Sequence, residues 1–384
     1  MASSEHFAYY IKERAHKIEE FLRDQPFEPT KQEFNKLKEY DQIKHVLKYS
    51  AAEAKKPANS TYNRYQNIIP YDYNRIKLRN PTGSRDYVNG SYITGAETEA
   101  KSSSSRKANA EKMDWSKFSN INFLSTQAPL PNTREHHWQA IYENDIDMVV
   151  MLTKLKEQSG THGNPDQIKC AEYWPSMSEK GGEQQNMKCG TYEIMLLEEC
   201  KIRHGAIKRL LYLIDSRSRN PQDEKVVTHL QFVGWPDYGV PQEDNHIIHL
   251  VKEVRELIQM DRERSKKYNI LVHCSAGVGR TGTFMAIYQL MDKIEELMHQ
   301  RKENAMERAG ATASRKETKK DKNNEINIFE TVFYLRKKRM QMVQSWSQYQ
   351  YLYASVASYA REISRIYGIV DDYLSLKPQN SSDF

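Results

Sequence analysis

A short strand–loop–helix segment constrains this chain more than any other part of its sequence. Residues 268–273 form an apolar run of the right length for a buried central strand, and the run ends directly before Cys274. The next five residues, SAGVG, are small, so the backbone can curl and point successive N–H groups inward. Arg280 then opens a helix, whose apolar residues over 284–298 recur at intervals of three and four. This segment predicts an α/β fold with an anion-binding loop after a central strand.

The loop combines a thiol with groups that favour its charged form. A helix N-terminus and a nearby guanidinium lower a thiol pKa from about 8.5 into roughly the 3.5–7.5 range, and the thiolate is the nucleophilic form. Arg280 can bind two oxygens of a tetrahedral dianion in a fork that lysine cannot form. We therefore predict that Cys274 is a nucleophile. A buried structural cysteine is the alternative, but it does not account for an arginine placed six residues later around GVG.

The other loop positions have predicted roles as well. We expect the Thr281 hydroxyl to hydrogen-bond the sulfur and help it leave in a second step, and the His273 ring to orient the loop rather than act as a base. The residues expected to bind phosphate, besides Arg280, are Ser275, Ala276, Gly277, Val278 and Gly279.

The sequence HCSAGVGRTG resembles the signature loop of the protein tyrosine phosphatases. Further motifs in the family's usual order extend the resemblance over roughly residues 30–367. GWPDYGVP is similar to the family's mobile loop, which implies that Asp237 protonates the leaving tyrosine oxygen and later acts as the base for water. Residues 63–65, NRY, resemble the phosphotyrosine-recognition loop. Tyr65 would then stack on the substrate ring and make the pocket too deep for phosphoserine.

Two glutamines and a variable loop complete the resemblance. Gln344, in MVQSWSQY, matches the glutamine that positions the hydrolytic water, and Gln348 matches a second family glutamine. Glu157 and Lys169 resemble the residues that brace the signature arginine and contact the closed aspartate loop. Gly234 departs from the family pattern, because a larger residue usually precedes the tryptophan.

The resemblance implies one non-receptor, phosphotyrosine-specific, cysteine-dependent protein tyrosine phosphatase domain, with a highly twisted mixed β-sheet flanked by helices. We expect a helical N-terminal extension over residues 1–29 and the catalytic domain over residues 30–370. Polar composition predicts solvated insertions near 95–118 and 303–325, and a disordered tail over 371–384.

Hydrophobic periodicity gives the expected secondary structure. The predicted helices cover 4–24, a segment around 34–40, 138–144, 246–260, 284–298, 329–339 and 349–367. The predicted strands cover 147–153, 191–197, 209–214, 226–233 and 268–273.

Composition favours an intracellular protein. The formal charge of +6 is spread along the chain, which suits an anionic ligand but is no nucleic-acid footprint. The four cysteines form no CxxC pair and no histidine cluster has metal-ligand spacing, so we expect a reducing compartment, no metal and no cofactor. The longest apolar run, 148–152, is too short to cross a bilayer. We expect a cytoplasmic monomer whose partners are phosphotyrosine-containing proteins.

Two other functions remain open on the sequence. A catalytically dead phosphotyrosine-binding module would usually lack one of the three key residues, whereas Cys274, Asp237 and Arg280 are all present. A dual-specificity or lipid phosphatase is disfavoured by Tyr65 and by the length of the domain.

Overall fold

A computed structural model describes most of the chain. The described residues are 10–23, 28–43, 49–79, 85–94, 121–158, 166–176, 186–218, 220–236, 239–241, 245–260, 267–310 and 325–368. The expected insertion near 95–118 and the expected tail over 371–384 lie outside these ranges, as do residues 311–324 of the second expected insertion. The boundaries of the extension, domain and tail stay predictions.

Within the described residues, nine strands form one twisted mixed sheet. The strands of the chain are β1 His16–Lys17, β2 Arg75–Lys77, β3 Tyr87–Tyr92, β4 Ile121–Thr126, β5 Met148–Met151, β6 Lys156–Glu157, β7 Gln167–Ile168, β8 Asn186–Cys189, β9 Tyr192–Ile202, β10 Ala206–Asp215, β11 Lys225–Phe232, β12 Tyr268–His273 and β13 Glu325–Ile326. The order in the large sheet is β2-β3-β4-β12-β5-β11-β10-β9-β8. The pairs that join β4, β12, β5 and β11 are parallel, and the other pairs are antiparallel.

Helices cover both faces of this sheet. They are α1 Ile18–Leu22, α2 Lys31–Ile43, α3 Arg134–Glu143, α4 Asn245–Met260, α5 Gly279–Gly310, α6 Ile328–Lys338 and α7 Trp346–Tyr367. Alternate residues of β12 enter different cores: Ile270 and Val272 pack with α4, α5, α6 and α7, whereas Leu271 packs with α3. A strand that is buried on both faces is apolar along its length, which is why the apolar run at 268–273 predicts this strand from the sequence. The predicted α/β fold class and the predicted strand are confirmed.

The N-terminal segment differs from the prediction of one helix over residues 4–24. In its described part, β1 interrupts the helix, pairs antiparallel with β13, and is followed by the short α1. Pairing with a segment 310 positions further along the chain (His16 with Ile326) satisfies backbone groups that a helix would otherwise pair locally. A tertiary contact therefore overrides the local periodicity.

The other helix predictions hold, with shifted ends. The helix after the signature loop, α5, continues to Gly310, so the start of the expected insertion near 303–325 is helical. Among the described residues, no helix has both the length and the apolar character needed to span a membrane.

Candidate active site

Cys274 lies at the carboxyl end of β12, in the loop that leads into α5. Its side chain is 5% exposed, and its Sγ accepts a hydrogen bond from the Gly277 N–H at 3.2 Å. Gly277 has a φ of +71°, and a Cβ at this position would lie 2.0 Å from the carbonyl oxygen of Thr126 on β4. Only glycine fits this conformation so close to a backbone. The loop therefore directs an amide at the sulfur, as the sequence of small residues predicts.

Arg280, the second residue of α5, is fixed by a buried carboxylate. Its Nη1 donates to Glu157 Oε1, and its Nη2 donates to Glu157 Oε2 at 3.0 Å. Glu157 also accepts a hydrogen bond from Thr153 Oγ1 at 2.9 Å, and its side chain is buried. The predicted pairing of Glu157 with the signature arginine is confirmed. A bidentate pair of this kind sets the direction of the guanidinium as well as its position.

The aspartate loop is described only at its ends, since Asp237 and Tyr238 lie outside the described residues. The carbonyl of Pro236, the residue before Asp237, accepts a hydrogen bond from Arg280 Nη2 at 3.3 Å. Trp235 is buried, and its Nε1–H donates to the Gly239 carbonyl at 3.2 Å. The first part of this loop therefore contacts the arginine of the signature loop directly. The predicted contact between Lys169 and the aspartate loop remains a prediction.

Tyr65 lies beside the signature loop. Its hydroxyl is 3.0 Å from Ser275 Oγ, which in turn donates to the Lys169 carbonyl at 3.1 Å. The Ser275 hydroxyl has a single proton, which it donates to the Lys169 carbonyl. The Tyr65 hydroxyl is therefore the donor to Ser275 Oγ. Arg64 holds this tyrosine loop in place through its Nη2, which donates to the Pro129 carbonyl at 2.8 Å. Tyr65 therefore contacts the signature loop through Ser275, and its stacking on a substrate ring stays a prediction.

The two predicted glutamines lie at the start of α7. Ser345 caps this helix by accepting from the Gln348 N–H at 3.2 Å, while Gln348 Oε1 accepts from the N–H groups of Gln344, at 2.9 Å, and Ser345, at 3.2 Å. A Cβ on Gly279 would lie 2.9 Å from Gln348 Nε2, so the glutamine amide packs directly against the signature loop. Gln344 Nε2 donates to Gln341 Oε1 at 3.3 Å.

His273 is fully buried behind the nucleophile. Its Nδ1 lies 3.1 Å from the Cys274 carbonyl oxygen, and its Nε2 lies 2.7 Å from the Tyr173 hydroxyl. A carbonyl only accepts, so Nδ1 carries the proton and Tyr173 donates to Nε2. Burial lowers the pKa of His273 to about 4, which keeps the ring neutral near pH 7. Its contacts are those of a residue that orients the loop.

Val278 and Thr281 are two further buried residues of the signature loop. The Val278 carbonyl accepts hydrogen bonds from the N–H groups of Gly282, at 2.9 Å, and Val343, at 3.1 Å. Thr281 is buried, and its Oγ1 has no hydrogen-bond partner within the described part of the chain. The hydrogen bond expected between Thr281 and the sulfur is therefore not formed among these residues.

Comparison with known proteins agrees with this geometry. The family model described as protein-tyrosine phosphatase matches residues 59–358. The chain belongs to the protein-tyrosine phosphatase family.

Several curated members of the family resemble it over most of its length. Receptor-type tyrosine-protein phosphatase eta of Gallus gallus is 33% identical over 322 residues, which are 82% of this chain and 18% of that protein. Receptor-type tyrosine-protein phosphatase C of Homo sapiens is 29% identical over 326 residues, covering 84% of this chain and 20% of that protein. Tyrosine-protein phosphatase non-receptor type 2 of Homo sapiens is 26% identical over 313 residues, or 82% of this chain and 59% of that protein. The chain thus spans about a fifth of the receptor-type relatives.

Sequence reasoning missed Arg339, which holds the back of the family's signature loop. This arginine is fully buried; its Nε donates to the Gly277 carbonyl at 3.0 Å, and its Nη2 donates to the Ala276 carbonyl at 3.1 Å. Burial lowers the pKa of Arg339 to about 10, a shift opposed by Tyr87 and Cys274, so it stays charged near pH 7. This buried arginine therefore holds the loop backbone on the side of Ala276 and Gly277.

Arg336 was also missed, and it supports the loop before Gln344. Its Nε donates to the Met342 carbonyl at 2.9 Å and its Nη2 to the Val343 carbonyl at 2.8 Å, while its Nη1 pairs with Asp41 of α2 at 2.7 Å. Val343 has a φ of +56°, a strained conformation for a β-branched residue. Arg336 and Arg339 both belong to the basic run RKKR, whose composition alone predicts the solvated end of a helix.

Proposed function

We propose that the protein hydrolyses phosphotyrosine in proteins through a cysteinyl-phosphate intermediate. The observation that carries the proposal is the shared loop of Cys274 and Arg280. One amide of that loop donates to the sulfur, and the guanidinium six residues on is held in place by Glu157. A tetrahedral dianion in this loop would meet preorganised donors, which is the arrangement that stabilises charge during phosphoryl transfer.

In the first step, the thiolate of Cys274 attacks phosphorus as the bond between phosphorus and the tyrosine oxygen breaks. Asp237 donates its proton to the leaving oxygen, so that tyrosine departs as the neutral phenol. The role of Asp237 rests on the family resemblance and on the contact between its neighbour Pro236 and Arg280. The amides of residues 275–279 and the fork of Arg280 hold the phosphoryl oxygens.

In the second step, water attacks the cysteinyl phosphate. Gln344 positions this water, Asp237 takes its proton, and the bond between phosphorus and sulfur breaks to release inorganic phosphate. Thr281 hydrogen-bonds the departing sulfur, and its buried hydroxyl without a partner among the described residues supports this role. Gln348 supports the loop that carries Gln344.

We further propose that Tyr65 makes the enzyme selective for phosphotyrosine. The tyrosine ring lies beside Ser275 of the signature loop, where it would line one wall of the pocket and leave a depth that matches a phosphotyrosine side chain. A phosphoserine side chain is shorter and would hold its phosphorus above the sulfur. The test compares the rates of hydrolysis of phosphotyrosine and phosphoserine peptides that are otherwise identical. Tyr65→Ala should reduce the preference for the phosphotyrosine peptide, and an unchanged preference would contradict the proposal.

We place the protein in the cytoplasm, where it would act as a monomer on phosphotyrosine-containing proteins and so regulate tyrosine-phosphorylation signalling. The cysteines are free in the structure, which suits a reducing compartment. The modest charge of +6 suits anionic substrates rather than nucleic acid.

Replacing the nucleophile tests the central proposal. Cys274→Ser should abolish hydrolysis of p-nitrophenyl phosphate without loss of the fold, because an unactivated hydroxyl is a far weaker nucleophile. Cys200→Ser is the matched control, since Cys200 is a half-exposed cysteine on β9 whose replacement should leave turnover unchanged. Normal turnover by Cys274→Ser would refute the assignment.

Two further measurements separate the proposal from its alternatives. Asp237→Ala should slow turnover by roughly 10²–10⁴ while phosphopeptide binding persists. Wild-type turnover should continue in EDTA, and strict dependence on a divalent ion would contradict the scheme. A rapid-mixing burst of product from the wild-type protein would exclude a dead binding module, whereas binding without any turnover would establish one.

A further inference from the structure

Arg209, on β10, is a buried arginine outside the loops of the active site. Its side chain is 5% exposed, and its guanidinium carbon lies 4.6 Å from the ring centre of Trp174. Nε donates to Glu199 Oε2 at 2.6 Å, while Nη1 donates both to His229 Nδ1, at 3.3 Å, and to Gln231 Oε1, at 3.0 Å. Buried charge is tolerated when its donors are paired. Here two of the partners, His229 and Gln231, each begin a chain of hydrogen bonds that leads to the active site.

The first chain ends at the nucleophile. His229 Nε2 lies 2.8 Å from the Tyr173 hydroxyl, which also contacts His273, and His273 Nδ1 contacts the Cys274 carbonyl. A guanidinium has donors only, so His229 Nδ1 has to accept and the proton of that ring lies on Nε2. His229 then donates to Tyr173, Tyr173 donates to His273, and His273 donates to the carbonyl. Both ends of this hydrogen-bond chain require the same donor direction, because the Arg209 guanidinium can only donate and the Cys274 carbonyl can only accept.

The second chain ends at the phosphate-binding arginine. Because Gln231 Oε1 accepts from the guanidinium, its Nε2 faces the opposite way and donates to the Thr153 carbonyl at 3.1 Å. Thr153 Oγ1 donates to Glu157, and Glu157 holds Arg280. The amide orientation of Gln231 is thus tied to the segment that carries the carboxylate brace.

We infer that Arg209 is a positioning residue for both halves of the phosphate-transfer site. It fixes the histidine tautomers behind Cys274 and the amide orientation behind Arg280. The inference rests on the proposed phosphatase function. The linking side chains are all nearly inaccessible to water, which therefore cannot replace a lost donor. They are Tyr173, His229, His273, Gln231, Thr153 and Glu157.

The charge states of the histidines agree with this arrangement. Burial lowers the pKa of His229 well below its usual value, and the positive charge of Arg209 lowers it further. Burial likewise lowers the pKa of His273. Each ring therefore carries one proton near pH 7, and its tautomer is set by its neighbours. Without the guanidinium, His229 Nδ1 would be a buried acceptor that lacks a donor, and the present tautomer would lose part of its advantage.

The test uses the full chain with Arg209→Met, which removes the donors, and Arg209→Lys, which keeps the charge but not the fork. Lys208→Met, on the same strand, is the matched control. Three readouts do not depend on turnover. They are the ¹⁵N NMR signals of the histidine rings, the rate at which iodoacetate alkylates Cys274 at a fixed pH, and the dissociation constant of inorganic phosphate, read from protection against alkylation.

For Arg209→Met we expect mixed tautomers of His229 and His273, slower alkylation of Cys274, and phosphate binding weakened about tenfold, since small displacements of positioning groups have effects of this size or larger. Arg209→Lys should be intermediate. Tyr173→Phe, in the first chain, should change the alkylation of Cys274 without weakening phosphate binding. Gln231→Met, in the second chain, should weaken phosphate binding without changing the alkylation.

Folded Arg209 variants with unchanged tautomers, alkylation and phosphate binding would overturn the inference. If only Arg209→Met fails to fold, Arg209→Lys decides by the same criteria. Failure of both to fold would assign Arg209 to folding rather than positioning and would also overturn it. The proposed function fails separately, if the wild-type protein shows no turnover of phosphotyrosine while the ring signals and alkylation are as expected.

Discussion

Adding one methyl group to the signature loop should disable the site. Gly277→Ala places a Cβ 2.0 Å from the Thr126 carbonyl oxygen and 2.5 Å from its carbon. Thr126 is held in β4 by pairing with β3 and β12, so this carbonyl has little freedom to move. Gly277 would have to shift by about 1 Å to reach van der Waals contact. Its N–H would then leave the sulfur of Cys274, to which it donates at 3.2 Å.

The size of the effect follows from these contacts. Overpacking a rigid core costs about 1–3 kcal/mol, and a left-handed φ costs an alanine about 1 kcal/mol more. The free energy of unfolding should therefore fall by about 2–4 kcal/mol. Loss of one preorganised donor slows a reaction that develops negative charge by roughly 10²–10³, so kcat should fall by about that factor.

Gly368→Ala is the matched control for backbone strain. Gly368 ends α7 with a φ of +70°, close to the +71° of Gly277, but a Cβ there meets no atom within 4 Å. It should lose about 1 kcal/mol of stability and keep its activity. Urea denaturation and hydrolysis of p-nitrophenyl phosphate measure both variants. The reasoning is refuted if Gly277→Ala turns over substrate at a near wild-type rate, or is no less stable than Gly368→Ala.

Three further predictions concern the charges around the loop. Glu157→Gln should lower kcat/KM by about 10²-fold in steady-state kinetics, because Arg280 loses its bidentate partner; unaltered kinetics would show that the brace is dispensable. Arg339→Met should lower kcat by about tenfold or more, because the Gly277 and Ala276 carbonyls lose the donor that positions the loop, and an unchanged kcat would mean that this arginine does not position it. Burial lowers the pKa of His273 from 6.5 to about 4, so between these pH values the ring binds a proton in the unfolded chain but not in the folded chain. Stability measured by urea should therefore fall by about 3 kcal/mol from this group as the pH drops through that window, and a His273→Asn variant with an equally steep loss would contradict this cause.

Segments whose structure depends on their own residues were predicted well. The strand over 268–273 has the bounds that its apolar run indicates, and the helix that follows begins at the loop of small residues. The helix predicted over 4–24 was wrong in its described part, because the pairing of β1 with β13 depends on residues more than three hundred positions away. Local periodicity contains no information about such a partner.

The sequence by itself determined the local structure of the signature loop. Cys274, the small residues after it and Arg280 are contiguous, so that a strand, a tight turn and a helix N-terminus bring them together without help from distant segments. Only the tertiary structure decided which charged side chains are buried around that loop. Arg339, Arg336 and Arg209 resemble surface residues in the sequence, and each is buried because carbonyl, carboxylate or imidazole groups from distant segments pair with its donors. Burial of a charge requires such partners, and they are assembled only when the sheet and its helices come together.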